Sequence, residues 1–339
     1  MHFPKFFTII FILQVLAFSF CESDQCAKPH KTIQVGQSED EEFKTIQSAI
    51  DTVPSGNSRW IRIQISAGVY EEKVKIGTNK RCIFLEGAGR NSTTIQWGDS
   101  GTGHHTATAE INGENTFVKG ITFENTHNIR DDSKVNPSVA VRVHADKCAF
   151  VECGFIGVQD TLFDSFGRHY YHNCYIQGST DFIFGRGQSI FEDCELYFSN
   201  GLRPTQMDGV ITANERKSED DPSAFVFKKC TINGKGAKTN LGRALRPGHP
   251  RVIIANSYFS DVIKSQGWGE KDFFKGHEAN ITFVEEGCTG PGSNLKGRVP
   301  WINKLQKSEI NKFLDISFID NDGWIANLPV DIQNKHYLK

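Results

Sequence analysis

Two aspartates occur at the same point of an internal repeat, where they could act as a nucleophile and a proton donor. Asp160 lies in the segment GVQDTLFD, and Asp181 follows 21 residues later in GSTDFIFG. If each repeat is one coil of a β-solenoid, the two carboxyl groups stack on neighbouring strands, about 5 Å apart. Two carboxyl groups at that distance do not both ionise readily at neutral pH. The spacing therefore predicts a pair in which one acid is charged and the other carries a proton.

The repeat extends on both sides of the two aspartates. An aromatic or aliphatic residue is followed after three positions by a cysteine and after five by an apolar residue, as in Phe150–Cys153–Phe155, Tyr171–Cys174–Ile176, Phe191–Cys194–Leu196 and Phe227–Cys230–Ile232; a variant, Ile254–Ser257–Phe259, has serine in the cysteine position. Each aspartate follows its cysteine by seven residues, and the repeats start 21, 20, 36 and 27 residues apart. The two shorter steps fit a coil of three strands. The longer steps predict inserted loops, which on solenoids gather on one face and form binding clefts.

The elements that must position these residues are short β-strands. From Ile61 onward the chain consists of short β-rich runs separated by Gly, Asn and Asp, with no helices between them. This texture argues against a doubly wound α/β fold and favours a parallel solenoid, an all-β fold. Helical spacing occurs only near the ends, at Phe43 to Ile50 and at Leu305 to Phe313. We predict that these helices cap the exposed ends of the solenoid.

The N-terminal segment is predicted to be a signal peptide. Lys5 precedes an apolar run over residues 6–20, and Ser19 and Cys21 provide small residues for cleavage before Glu22. The run is too short to span a bilayer. We therefore expect residues 1–21 to be removed, residues 22–339 to form a single domain, and the protein to be secreted. The formal net charge is −2 with no basic tract, so nucleic acid and anionic membranes are not expected partners.

Export would permit disulfides and glycosylation. The repeated cysteines would form an inward column, which could be a ladder of small buried thiols. Neighbouring rungs also place α-carbons within disulfide range, and the preferred pair is Cys174–Cys194, because it brackets Asp181. Asn91 and Asn280 begin glycosylation sequons.

Stacked aspartates also occur as structural caps of solenoid turns. Three details favour chemistry instead. Each aspartate is followed by apolar residues typical of a strand, Gln159 places an amide donor beside Asp160, and Arg243, in LGRALRP, is a fixed cation for a carboxylate that stays ionised.

The chain resembles plant-type pectin methylesterases over nearly all of residues 40–325. The resemblance rests on the order and spacing of GVQDTLFD, STDFIFG and LGR, supported by FKTIQSAIDTVP, GVYEEKVKI, GITFENT, NSYFSDVIKSQGW and RVPW. It implies a right-handed parallel β-helix that hydrolyses galacturonate methyl esters in pectin and releases methanol. The family often carries an N-terminal inhibitory pro-region, which we do not expect between Glu22 and the first helix.

The resemblance also assigns roles by position. Asp181 is the nucleophile, Asp160 the proton donor and later the base, Gln159 the oxyanion donor, and Arg243 the group that orients Asp181. The positions implied to contact substrate are Thr108, Trp268 and His105, with a core role as the alternative for Trp268. No metal or other cofactor is implied.

Four positions depart from the family pattern, and all four concern the cleft. Pro137 stands where a second amide donor for the oxyanion is expected, and losing such a donor typically costs about 10²–10³ in rate. Ala244 and Leu245 replace a Pro-Trp pair, which removes an aromatic wall. His105 stands where an aromatic residue is usual. We expect an active esterase with altered subsite preference.

Two alternatives remain open at this stage. The first is a catalytically weak or silent pectin-binding homologue, motivated by Pro137 and Leu245. The second is another pectin-active β-helix, a polygalacturonase or a lyase, although the motifs of the hydrolase and a calcium cluster for a lyase are absent from the sequence. The expected location is the extracellular cell wall. We expect a monomer, with pectin as partner and a proteinaceous pectinesterase inhibitor as a candidate second partner.

Overall fold

A computed structural model describes residues 26–101, 104–130, 135–201, 207–269, 275–302 and 304–332. The predicted signal peptide lies outside these residues. The described residues form the strands β1 Ala27–Val35, β2 Arg59–Ile65, β3 Gly68–Glu71, β4 Val74–Ile76, β5 Ile83–Gly87, β6 Thr93–Trp97, β7 Ala109–Ile111, β8 Thr116–Lys119, β9 Thr122–Asn125, β10 Val141–His144, β11 Cys148–Val151, β12 Gly154–Ile156, β13 Leu162–Phe166, β14 Arg168–His172, β15 Tyr175–Gly178, β16 Thr180–Gly185, β17 Gln188–Glu192, β18 Glu195–Phe198, β19 Gly209–Asn214, β20 Ala224–Lys228, β21 Thr231–Gly234, β22 Thr239–Ala244, β23 Arg251–Ala255, β24 Tyr258–Phe259 and β25 Thr282–Glu286.

The strands form three parallel sheets that the chain visits in turn. Sheet A has the order β1-β2-β5-β8-β11-β14-β17-β20-β23-β25, sheet B the order β24-β21-β18-β15-β12-β9-β6-β3, and sheet C the order β22-β19-β16-β13-β10-β7-β4. From β2 to β22 each coil contributes one strand to A, then B, then C, whereas β23 and β24 continue A and B and β25 returns to A. The fold is therefore a right-handed parallel β-helix, as predicted.

The predicted repeat is the coil of this helix. In sheet A, Phe150 is in register with Tyr171, Tyr171 with Phe191, Phe191 with Phe227, and Phe227 with Ile254. Successive rings stack, with centroids 5.1 Å apart for Phe150 and Tyr171 and 4.4 Å apart for Tyr171 and Phe191. In-register pairing thus converts a repeat in sequence into a column of side chains that fills the interior.

The cysteine column is present, but the disulfide lies elsewhere. Cys26 and Cys82 form a disulfide, with α-carbons 5.7 Å apart, whereas Cys174 and Cys194 are free thiols. The predicted Cys174–Cys194 bridge is therefore wrong. In-register side chains point the same way, so their β-carbons keep the strand spacing of about 4.8 Å, longer than the span of about 3.5–4.5 Å in a disulfide. Each of the two thiols instead donates to a main-chain carbonyl oxygen of a neighbouring coil, at 3.4 and 3.5 Å.

Helices of the described residues lie at the first coil, after β9 and on the outer face of sheet A. Helix α1, Ile46–Asp51, is capped by Thr45 and buries Ile46, Ala49 and Ile50 in the core at the N-terminal end. Helix α2, His127–Arg130, is a single turn. Helix α3, Lys307–Leu314, packs Ile310 against β23 and β25, so it covers the side of the solenoid. None of the helices in the described ranges has the length and apolar character of a membrane span.

Candidate active site

Asp160 and Asp181 lie on adjacent coils at the start of sheet C strands. Gln159 and Thr180 form a parallel bridge, and the main-chain N–H of Asp160 donates to the carbonyl oxygen of Thr180 at 3.0 Å. Both aspartates have left-handed backbone, with φ of 62° and 48°. The register of β16 against β19 also shifts between Thr180 and Ile183, an irregularity of the kind that re-aims side chains near active sites. The sequence prediction of one coil between the acids is met by this geometry.

Arg243 holds Asp181 in place. Its Nε donates to Oδ1 of Asp181 at 2.8 Å, and its Nη2 donates to Oδ2. The Asp181 residue is only 5% exposed, so this two-point contact operates with little competition from water. Arg243 lies on β22, two coils away, and Ala213 on the intervening strand is in register with it. The short side chain of Ala213 leaves room for the arginine to reach back to Asp181.

The pKa of Asp160 is raised, whereas its neighbour Asp181 is bound by Arg243. Burial raises its pKa to about 7, with a further increase from the charge of Asp181, while the charge of Arg243 opposes both. A carboxyl group with this pKa carries a proton for much of the time at neutral pH. The site therefore combines an arginine-bound carboxylate with an adjacent carboxylic acid.

Gln159 completes the group. It immediately precedes Asp160, is half-buried, and its main-chain carbonyl accepts a hydrogen bond from Ser138 at 3.1 Å. Among the described residues, its side-chain amide has no hydrogen-bond partner, so it can donate to a ligand. Pro137 lies on the neighbouring coil beside Gln159, half-buried, with its carbonyl bonded to the N–H of Gly101 at 2.9 Å. Leu245, the other departure, is half-buried after β22.

Two of the predicted substrate contacts are core residues in this structure. Trp268 is 1% exposed, stacks on Phe283 with centroids 4.5 Å apart, and donates its indole N–H to Glu285 at 2.9 Å. Thr108 is 0% exposed and donates its hydroxyl to the carbonyl of Glu124 at 3.0 Å. Both side chains are buried, and this burial argues against direct contact with a sugar. His105 is exposed, so contact with a ligand remains a prediction for this residue.

The sequence reasoning missed an aromatic pair on the outer face of sheet C. Phe163 and Phe184 stack with ring centroids 4.4 Å apart, and the guanidinium of Arg142 lies 5.7 Å from the Phe163 centroid. The cross-strand register runs from Arg142 through Phe163, Phe184 and Ala213 to Arg243, so the pair shares the face of Arg243. The signal was available, because each phenylalanine follows its aspartate by three residues.

Comparisons with known proteins show the family to which this chain belongs. The family model described as Pectinesterase matches residues 32–322. The chain is 43% identical over 329 residues to putative pectinesterase 10 of Arabidopsis thaliana. This alignment covers 96% of this chain and 96% of the relative. It is also 43% identical to probable pectinesterase 55 of Arabidopsis thaliana, over 90% of this chain and 93% of the relative. Among solved structures, pectin methylesterase from carrot matches with a TM-score of 0.82 and 28% identity, over 88% of this chain and 96% of that chain. On this coverage and identity, the chain belongs to the pectinesterase family.

Proposed function

We propose that this protein is a secreted carboxylic ester hydrolase that removes methyl esters from galacturonate units of pectin and releases methanol. The observation that carries the proposal is the asymmetric pair of acids: Arg243 binds Asp181 at two points, while the pKa of the adjacent Asp160 is about 7. Membership of the pectinesterase family supplies the substrate class. The half-buried amide of Gln159 adds a donor beside the pair.

The chemistry follows from these protonation states. A carboxylate oxygen of Asp181 attacks the ester carbonyl carbon, and the resulting oxyanion accepts a hydrogen bond from Gln159. The carbon–oxygen bond to the methoxy group then breaks as Asp160 gives its proton to that oxygen, so methanol leaves and an acyl-enzyme anhydride remains. In the second half, Asp160 takes a proton from water, and the hydroxide attacks the anhydride. Asp181 is released as a carboxylate, and Asp160 is protonated again.

Arg243 has two tasks in this scheme. It fixes the carboxylate of Asp181 at the point of attack, and it remains a cation beside the carboxylate that is re-formed when the acyl-enzyme is hydrolysed. Phe163 and Phe184 provide an apolar floor on the same face of sheet C. We propose that a sugar ring of the pectin chain packs there.

Secretion and glycosylation form part of the same proposal. Asn91 is exposed in the turn between β5 and β6, and Asn280 is half-buried at the end of a short 3₁₀ helix. The position of Asn91 is open to glycosylation in an exported protein. Because the proposed substrate is pectin, we propose the cell wall as the location of the enzyme.

The test is methanol release from highly esterified pectin. Asp181→Asn removes the nucleophile, and Asp160→Asn removes the transferable proton, for which we expect a loss of about 10²–10⁴-fold. Asp193→Asn is a matched control, because Asp193 also has left-handed backbone, with φ of 54°, and lies outside the site. We expect it to retain activity.

The competing hypothesis is the catalytically silent pectin-binding homologue, favoured by Pro137 and by Leu245. It predicts the same background of methanol for the wild type and for Asp181→Asn. That result, with pectin binding retained, would replace the esterase proposal.

A further inference from the structure

The outer face of sheet C carries a second cation and aromatic pair, Arg186 and Phe166. It lies beyond the row of in-register residues that runs from Arg142 through Phe163 and Phe184 to Arg243, here called the catalytic row. Phe166, at the end of β13, is 51% exposed. The guanidinium of Arg186 lies 5.6 Å from the centroid of its ring. The ring of His144 lies on the preceding coil, 5.7 Å from the same ring, and His144 is in register with Phe166.

A register irregularity turns Phe166 outward. Along β13, Phe163 faces outward and the next residue, Asp164, is fully buried. Regular alternation would then point Phe166 into the core. The register against β10 shifts between Val143 and His144, which places Phe166 opposite His144 on the outer face. A one-residue shift reverses the face of every following side chain, so this exposure is built into the strand.

The pair lies further along β13 and just past the end of β16, so that it forms one strip with the catalytic row on the outer face of sheet C. Phe166 follows Phe163 by three residues, which is about 10 Å along a strand, and Arg186 follows Phe184 by two, about 7 Å. The strip thus leads from the aspartates at the start of β13 and β16, past the stacked phenylalanines, to Arg186. A polymer that crosses the catalytic row along the strands would reach this pair.

The charge of Arg186 is available to a ligand. Within the described ranges, no carboxylate lies within ion-pairing distance of it, whereas Arg246 nearby is paired with Glu215 at 2.9 Å. The adjacent Asp164 points inward, where it is bonded to His169. Arginine binds carboxylates through two parallel hydrogen bonds, and an exposed phenyl ring packs against apolar ligand surface.

We propose that Phe166 and Arg186 form a subsite for a galacturonate unit that has already lost its methyl ester. The sugar ring packs on Phe166, and its free carboxylate pairs with Arg186, which a neutral ester cannot do. This inference rests on the proposed function for the identity of the ligand, a pectin chain from which the enzyme removes methyl esters. The subsite makes the enzyme favour partly de-esterified chains and lets its own product remain bound.

The test combines binding with turnover. The variants are Arg186→Gln, Phe166→Ala and, as a matched control, Arg59→Gln, an exposed arginine on sheet A. We measure the Kd of fully de-esterified oligogalacturonate by calorimetry, after confirming the fold by circular dichroism. We expect a weakening of about tenfold for Arg186→Gln, as for the loss of one charge-assisted contact, a similar weakening for Phe166→Ala, and no change for Arg59→Gln. In methanol release, Arg186→Gln should raise KM on pectin of low esterification and leave KM on pectin of high esterification unchanged.

These readouts separate the subsite from the esterase. If both site variants bind oligogalacturonate as tightly as the wild type, the subsite is refuted, even if methanol release is normal. If the wild type releases no methanol and yet Arg186→Gln alone among the arginine variants weakens binding, the subsite stands and the esterase proposal fails. If Arg186→Gln does not fold, Phe166→Ala decides the outcome by the same binding measurement.

Discussion

Arg243 donates two hydrogen bonds to Asp181, and its charge also lowers the pKa of Asp160. One cation therefore acts on both acids in the same direction, toward ionisation. Asp160 keeps a raised pKa because burial and the charge of Asp181 together outweigh the arginine. The proposed division of roles between two residues of the same type thus depends on which of them Arg243 touches.

Replacing Arg243 should change both the rate and its pH dependence. For Arg243→Gln we expect kcat/KM to fall by about 10- to 100-fold, because charge-assisted hydrogen bonds to the nucleophile are lost. The alkaline limb of the pH profile should move to higher pH, since the pKa of Asp160 loses an opposing cation. Arg246→Gln, at a surface arginine paired with Glu215, is the control and should leave both unchanged. A lower rate with no shift of the alkaline limb would contradict the claim that the charge of Arg243 lowers the pKa of Asp160.

The wild-type enzyme should lose activity as the pH rises above about 7. Asp160 must carry a proton to release methanol, and its pKa is about 7. Above that pH, kcat/KM should fall about tenfold per pH unit, as expected when a single essential proton is lost. Initial rates of methanol release between pH 5 and 9 provide the measurement. A flat profile over that range would remove Asp160 as the acid.

The raised pKa of Asp160 also predicts a cost in stability. Because the folded state retains this proton up to about pH 7, while an unfolded carboxyl group loses it near pH 4, stability falls as pH rises through that window. Asp160→Asn removes the titration, so its melting temperature should exceed that of the wild type at pH 7 but not at pH 3.5. Thermal melts at the two pH values test this, with Asp193→Asn as control.

A buried ion pair beneath the site predicts a second pH effect. Asp164 and His169 are both fully buried and bonded to each other, and the other ring nitrogen of His169 lies 2.8 Å from the carbonyl oxygen of Ala145. With both nitrogens facing acceptors, the geometry favours the imidazolium form of the ring. Burial opposes that charge, but Asp164, the Ala145 carbonyl and Asp146 outweigh it and raise the pKa of His169.

Stability should therefore fall as pH rises through the folded-state pKa of His169, and it should be fully retained below the ordinary pKa of about 6.5. For His169→Gln we expect a protein less stable by about 3–5 kcal/mol at pH 6, because Asp164 loses its partner. The part of the pH dependence due to His169 should disappear. Ser189→Ala removes another hydrogen bond to Asp164 but no titrating group, so it should keep the wild-type pH slope. Urea unfolding at several pH values distinguishes the two.

Thiol counting checks the disulfide. The described residues contain six free cysteines and the Cys26–Cys82 disulfide, so protein that begins at Glu22 should show six thiols after denaturation without reductant. Cys82→Ser should show seven and lose about 4 kcal/mol of stability, given the 56-residue separation of the linked cysteines. Cys174→Ser, the control, should show five. Four thiols in the wild type would indicate a second bridge in the column.

Pro137→Gln tests the departure from the family pattern. The residue lies on the coil beside Gln159, where an amide side chain could donate a second hydrogen bond to the oxyanion. We expect kcat to rise, by up to about 10²–10³-fold if the geometry is ideal. Pro137→Ala controls for release of the proline ring and should not raise kcat. An unchanged kcat in both variants would show that this position does not reach the reaction.

The repeat made the adjacency of Asp160 and Asp181 predictable, because parallel in-register strands convert equal phase in sequence into adjacency in space. The same reasoning does not extend to features that depend on where a side chain points or on what covers it. The cysteines satisfied a distance between α-carbons, but the bridge also requires β-carbons that approach each other, and in-register stacking prevents this. Trp268 and Thr108 were assigned by position in a motif, which says nothing about whether a neighbouring coil covers them. Phe166 is exposed because the register between β10 and β13 shifts, and the sequence of this segment gives no sign of that shift.

The Cys26–Cys82 bond joins the residue before β1 to the residue before β5, across β2 of sheet A. Coils contact only their neighbours, so a molecule of this shape can unravel from either terminus, rung by rung. The disulfide links the N-terminal coils covalently, so unfolding cannot proceed from the N-terminal end unless the disulfide is reduced. Under oxidising conditions, loss of structure should therefore start at the opposite terminus and reach the aspartates only after Arg243 has been released.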